Sequence, residues 1–381
     1  MHLLIALVIL AQADPAAEAV RKIDEAALRT HIGILAADDM EGRAVGQPGN
    51  DRAAEYIVKQ LKEAGLKPAG DGAGYHQTFP LMKGGTAKNV IALLEGADDR
   101  LKDEYVVVGG HFDHVGMRGK SRGQRKGGDE NDLIFNGADD NASGTATILL
   151  VARAFAAGPA RPKRSILFCL WNAEETGLEG STAWTKRPTR PLKDVVYCLT
   201  LDMIGRNPER PIDMEGVKNA SGDALEKIIT AAAEAEGLRV TKYDHHNEAM
   251  FRADGAPFLR AGVPATMFFS YWHEDYHRVG DHADKIAYPN LAKVARASFR
   301  VLNGVANLET RLRFNPNVPL RGKSLGGEVE ELGGEALAAL KLGAGQGAFR
   351  VKSVEEGKVI DCATFIRNAG ILSRYLAASK K

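Results

Sequence analysis

Apolar and polar positions along the chain follow two periods in turn. YVVVGG (105–110), SILFCLW (165–171), VVYCLTL (195–201) and VPATMFFS (263–270) are near-continuous apolar runs. Runs of that length and composition read as strands covered on both faces. NVIALLEG (89–96) reads as a strand neighbouring YVVVGG. Other stretches carry apolar residues at three-to-four spacing. Val20, Ile23, Ala27, Leu28 and His31 predict a helix over 20–35. Ala54, Ile57, Val58 and Leu61 make the apolar face of a helix after Asn50 that Gly65 closes. Ser143 is placed to cap the apolar helix GTATILLVARAFAAG, and GDALEKIITAAAEAEG and residues 290–309 complete the set. This alternation predicts one α/β/α domain with a mixed, largely parallel central sheet flanked by helices.

Two segments break the pattern inside that domain. DDMEGRAVGQPGN reads as a loop, and MRGKSRGQRKGGDENDLIFNG (117–137) as a mobile surface loop whose basic run, Lys120 to Lys126, is a solvated face. Near Asn315 the texture changes to short strand-like runs, one short helix and many glycines. The main domain is therefore expected over 14–310 and a small C-terminal extension over 311–381. LGGEVEEL, LAALKLGAGQGAFRVKSV and EEGKVID within it faintly resemble pieces of a PDZ domain.

Composition changes this picture little. Among 381 residues, 50 Lys and Arg balance 49 Asp and Glu, so no nucleic-acid partner is expected. MHLLIALVILAQA reads as a secretory signal (1–13), with Leu3–Leu10 as its apolar core and Ala11-Gln12-Ala13 as the cleavage site. A secreted or periplasmic location without a membrane anchor is expected. Cys169, Cys198 and Cys362 have neither metal-site spacing nor a disulfide framework, and the first two fall in strand-like runs as small apolar residues.

The chemistry concentrates between 105 and 175 and recurs further on. HFDHVG brings His111 and Asp113, GADDNASG brings Asp139 and Asp140, and WNAEE brings Glu174 and Glu175, each beside a buried strand or helix. A doubly wound sheet gathers such positions at the carboxyl ends of its strands. Imidazole with several carboxylates suits zinc or a similar divalent ion. Two apart on a strand, His111 and Asp113 share a face, so one can ligate while the other orients its ring. One of Asp139 and Asp140 can point at a metal. Of Glu174 and Glu175, one can serve as general base and the other as ligand. A helical HExxH and a GxSxG elbow are both absent.

HFDH, GADDNASG, WNAEE and LDMIG, in that order, resemble the co-catalytic di-zinc aminopeptidases, the family of aminopeptidase Y and the secreted bacterial leucyl aminopeptidases. The likeness spans about residues 25–305. It implies two zinc ions per chain, replaceable by manganese or cobalt, and peptide substrates with a free amino terminus. By that resemblance His111 ligates one metal with Asp113 as its supporting partner, and Asp140 bridges the two. Glu174 is the general base, Glu175 ligates the other metal, and Asp202 completes the first. DYHRVGD supplies His277 as the last ligand, Asp281 as its orienting partner and Tyr276 as an oxyanion donor. Arg252-Ala253-Asp254 matches a segment near the site, with no role assigned. His76, His114, His245 and His246 are expected to stay outside the metal shell. The same scaffold also serves carboxypeptidases, dipeptidases, glutaminyl cyclases and receptor-like proteins without catalysis.

Overall fold

A computed structural model describes residues 15–120, 123–158, 161–241 and 249–315, together with the strands Gly327–Glu331 and Phe349–Val354. The expected signal sequence, Cys362, His245, His246 and most of the C-terminal extension lie outside the described residues.

The main sheet uses nine strands among the described residues. They are β1 (Lys67–Pro68), β2 (His76–Pro80), β3 (Thr86–Leu94), β4 (Tyr105–His111), β5 (Ser165–Trp171), β6 (Val195–Leu201), β7 (Ile212–Glu215), β8 (Val240–Thr241) and β9 (Ala265–Phe269). Their order is β1-β3-β5-β4-β6-β9-β7-β8, with β2 also paired to β3. The inner strands β5, β4, β6 and β9 run parallel. β3 and β7 run antiparallel to that block, so the sheet is mixed. Helices α1 (Pro15–Val20), α2 (Glu25–Leu35), α3 (Pro48–Glu63), α4 (Gly144–Ala156), α5 (Glu179–Lys186), α6 (Ala224–Ala235), α7 (Ala256–Arg260) and α8 (Tyr288–Ala306) surround it.

The inner strands are apolar throughout because both their faces are covered. Along β5, Ile166, Phe168 and Leu170 join the core beneath α2, α3, α4, α6 and α8. Leu167, Cys169 and Trp171 join a second core with Trp184 of α5 and Phe258 of α7. Successive side chains of a strand point to opposite faces, so each layer receives every second residue. Cys169 and Cys198 are buried and free in that second core.

Several local expectations change. β5 lies between β3 and β4, so the strands at 89–96 and 105–110 are not neighbours. The helix predicted over 20–35 starts only at Glu25, where Asp24 caps it by accepting from the Ala27 amide at 2.8 Å, and α1 ends at Val20. Ser143 does not cap α4. Its hydroxyl donates to the Asp139 carbonyl, and the Asn141 side chain accepts from the Gly144 amide instead. Asn50 sits within the first turns of α3 and bonds Arg43 and Asn172.

Candidate metal centre

The parallel block sets the site. His111 ends β4, while Glu174 and Glu175 follow β5 and Asp202 follows β6. His277 lies in the segment after β9. Asp140 arrives from the turn before α4. The turn is tight: a Cβ on Gly144 would lie 2.4 Å from the Leu201 carbonyl oxygen, so glycine lets α4 press against the end of β6. The Asp140–Asn141 peptide bond is cis, and Asn141 donates to that same Leu201 carbonyl at 2.9 Å. Ala173, Met203 and His277, each at or beside a site residue, hold left-handed backbone conformations that only glycine adopts freely.

His111, Asp140, Glu175, Asp202 and His277 converge, so the structure brings together the five positions singled out as metal ligands. His111 Nε2 lies 3.3 Å from Asp140 Oδ1 and 3.4 Å from Asp202 Oδ1. His277 Nε2 lies 3.1 Å from Asp140 Oδ2 and 3.1 Å from Glu175 Oε2. Asp140 therefore turns one oxygen to each histidine. Glu174, Tyr276, Met203, Met267, Phe269, Trp272 and Arg252 line the pocket over this cluster.

Three supporting roles differ from expectation. The Asp113 carboxylate stands 3.7 Å from His111 Nδ1, close enough to pair with its charge but beyond hydrogen-bond reach. His111 Nδ1 faces the Asp113 main-chain carbonyl at 3.0 Å, whereas the carboxylate accepts the amides of Glu174 and Glu175. Asp113 is thus a positioning residue, set back from the pocket. Asp281 does not orient His277; it accepts the amides of Asp139 and Asp140 and so fixes the turn. The His277 ring is held by the Gly123 carbonyl, 2.9 Å from Nδ1, and the Arg125 amide donates to the His277 carbonyl. The basic segment expected to be solvated therefore packs against the site, with Arg125 seated 4.5 Å from the Tyr276 ring centre.

Sequence reasoning missed two residues. His114 is buried, with Nδ1 2.9 Å from Glu175 Oε1. Arg43, 1% exposed, donates to the carbonyls of Leu35, Phe112, Asn136 and Gly137 behind the centre. The signal for His114 was its place just past the end of β4. Arg43 gave none, since an arginine in a glycine-rich polar stretch reads as exposed.

The charges are crowded. Burial opposes the charged His111 ring, but Asp202, Glu174 and Asp140 outweigh it and hold its pKa well above the ordinary histidine value. Burial likewise opposes charge on His277, and Glu175 with Asp140 raises it to about 11. Burial and Asp140 press the Glu175 carboxyl upward, yet His277 and His114 hold it down at about 2. Glu174 goes the other way: burial, reinforced by Glu175, Asp202 and Asp254, pushes it well above the carboxylate range. Buried carboxylates in this number need cations. Asp202 Oδ1 has no hydrogen-bond donor among the described residues. His111, Asp140 and Asp202 form one group able to hold a divalent ion, and His114, Asp140 and Glu175 form another around the shared aspartate. Nitrogen and carboxylate oxygen are the donors that zinc accepts.

A mixed α/β sheet with imidazoles and carboxylates at the ends of its parallel strands defines a scaffold able to hold divalent metal ions. The model of peptidase family M28 matches residues 89–302, more than half of the chain, and the chain belongs to that family. It is 28% identical over 264 residues to leupeptin-inactivating enzyme 1 of Streptomyces exfoliatus, covering 67% of this chain and 50% of that protein. It is 28% identical to leucine aminopeptidase 2 of Arthroderma otae, covering 54% and 49%. The chain thus spans about half the length of these curated relatives. Its fold matches the LapA aminopeptidase of Legionella pneumophila, with a TM-score of 0.59 at 15% identity over 81% of each chain. It also matches a glutaminyl cyclase of Porphyromonas gingivalis, with a TM-score of 0.60 at 18% identity over 73% of this chain and 97% of that one. No helix among the described residues is long and apolar enough to cross a membrane.

Proposed function

We propose that this chain is an exported aminopeptidase that works with two zinc ions. The observation that carries the reading is the shared aspartate: Asp140 faces His111 with one oxygen and His277 with the other. His111, Asp140 and Asp202 would hold one ion, and Asp140, Glu175 and His277 the other. Bound there, the ions supply Lewis acidity, making a water acidic and polarising the substrate carbonyl.

The remaining steps belong to the chain. Glu174 lines the pocket, takes a proton from the attacking water and returns it to the leaving amine. The Tyr276 phenol, kept protonated by burial and by Asp140 and Glu175, lines the same pocket and would donate to the oxyanion. A pocket lined by acids together with Met203, Met267, Phe269 and Trp272 suits an ammonium next to an apolar side chain. Residues 1–13 would direct export, and 311–381 would form a small extension packing on the domain over 14–310, as Leu312 does in its core.

The test is hydrolysis of leucine para-nitroanilide beside its N-acetylated form. Cleavage of the free-amine substrate alone is expected, and cleavage only of blocked or carboxyl-terminal substrates would end the aminopeptidase reading. Glu174→Gln is expected to lower kcat by at least ~100-fold, with zinc content by atomic absorption unchanged.

A further inference from the structure

The Glu175 carboxylate is gripped at both oxygens. Oε2 faces His277 Nε2 at 3.1 Å, and Oε1 faces His114 Nδ1 at 2.9 Å. We propose that His114 is a positioning residue that pins Oε1, so that Glu175 meets a metal through Oε2 alone and leaves one coordination position open for substrate. This inference rests on the two-metal reading above.

The geometry decides the direction of the bond. Oε1 is a carboxylate oxygen and accepts, so Nδ1, 2.9 Å away, carries the hydrogen. The other ring nitrogen, Nε2, is buried without a partner among the described residues. A bare nitrogen there leaves no N–H unsatisfied, so one tautomer serves both ends of the ring.

The ring also cannot turn away. A Cβ on Gly137 would lie 2.5 Å from His114 Cδ2, so the ring lies directly on the Gly137 backbone, which takes a φ of +58°. The edge of the ring meets His277 with centroids 5.6 Å apart and planes at 80°. The His114 amide donates to the Arg43 carbonyl. His114 Nδ1 stands 3.9 Å from Asp140 Oδ2, beyond hydrogen-bond reach, so its short contact is with Glu175. A carboxylate free at both oxygens can clasp a cation with two. One whose second oxygen is held by an N–H presents only one.

The full chain, stripped by chelator, is titrated with cobalt(II) alone and followed by visible absorption, and with zinc by calorimetry. The parent is expected to take two equivalents. His114→Leu removes the donor. It should weaken one equivalent about tenfold and shift the cobalt bands toward higher coordination as Oε1 swings onto the ion. His114→Asn places an N–H close to the position of Nδ1–H and should retain both affinity and spectrum. A leucine variant that matches the parent in both readouts overturns the proposal. So do leucine and asparagine variants weakened equally, and so do variants that each lose one equivalent outright, since His114 would then be a ligand itself. A parent that binds two metals but hydrolyses no free-amine substrate would remove the aminopeptidase reading and leave the role of His114 standing.

Discussion

Arg43 is a buried cation with no carboxylate at ion-pair distance among the described residues; its partners are four carbonyls from three segments. Burial lowers its pKa to about 10, and Asp140, Asp281 and Asp113 work against that fall, so it stays charged at neutral pH. It holds α2, the turn after His111 and the turn before Asp140 in register. Arg43→Met leaves the Leu35, Phe112 and Asn136 carbonyls without their guanidinium donor, while the Gly137 carbonyl keeps the Ala142 amide. Each orphaned acceptor costs about 1–3 kcal/mol, so a loss of at least ~3 kcal/mol is expected by urea unfolding. Arg43→Lys, with one nitrogen in place of a fork, should fall in between. At this scale the sequence was uneven. The acids and imidazoles of the centre were readable, because their types and their places at strand ends carry meaning together. The partners Arg43 and Gly123 were not, because hydrogen bonds between distant segments leave no periodic trace.

At the scale of elements, the parallel inner strands were legible as unbroken apolar runs. Their order was not: β5 enters between β3 and β4 by a crossover, and no local pattern records a crossover. β7 is a different case. Asp213 and Glu215 share one face of a fully buried strand. Burial, with Glu215 beside it, raises the Asp213 pKa to about 8. The folded state therefore keeps a proton that the unfolded chain loses near pH 4. Its contribution to stability is intact below pH 4 and is lost as pH rises toward 8. Asp213→Asn should stabilise the chain at pH 8 by on the order of 1 kcal/mol or more, with the gain vanishing at pH 4 in thermal melts. An equal shift at both pH values would show that Asp213 does not titrate in this window.

For the whole molecule, the two apolar cores and the charged centre oppose each other. The helical layers close the sheet, while the buried acids between the strand ends repel one another. Divalent ions would offset that repulsion only in the folded chain, since only folding brings the donors together. Zinc at about a thousand times its dissociation constant should add about 4 kcal/mol per site. Melting temperature is therefore expected to rise with zinc and to fall after chelation; a Tm indifferent to zinc would count against metal binding at this centre.

Every strand of the parallel block donates at the same edge, and the donors begin at His111 and end only at His277. A ribosome releases them one by one, with almost half of the polypeptide between the first and the last. Through that interval the emerging chain lacks at least one of its donors and has no complete centre. Nor can a fragment severed anywhere within the span regain one alone. Synthesis itself thus withholds a complete set of metal donors until its last member has emerged.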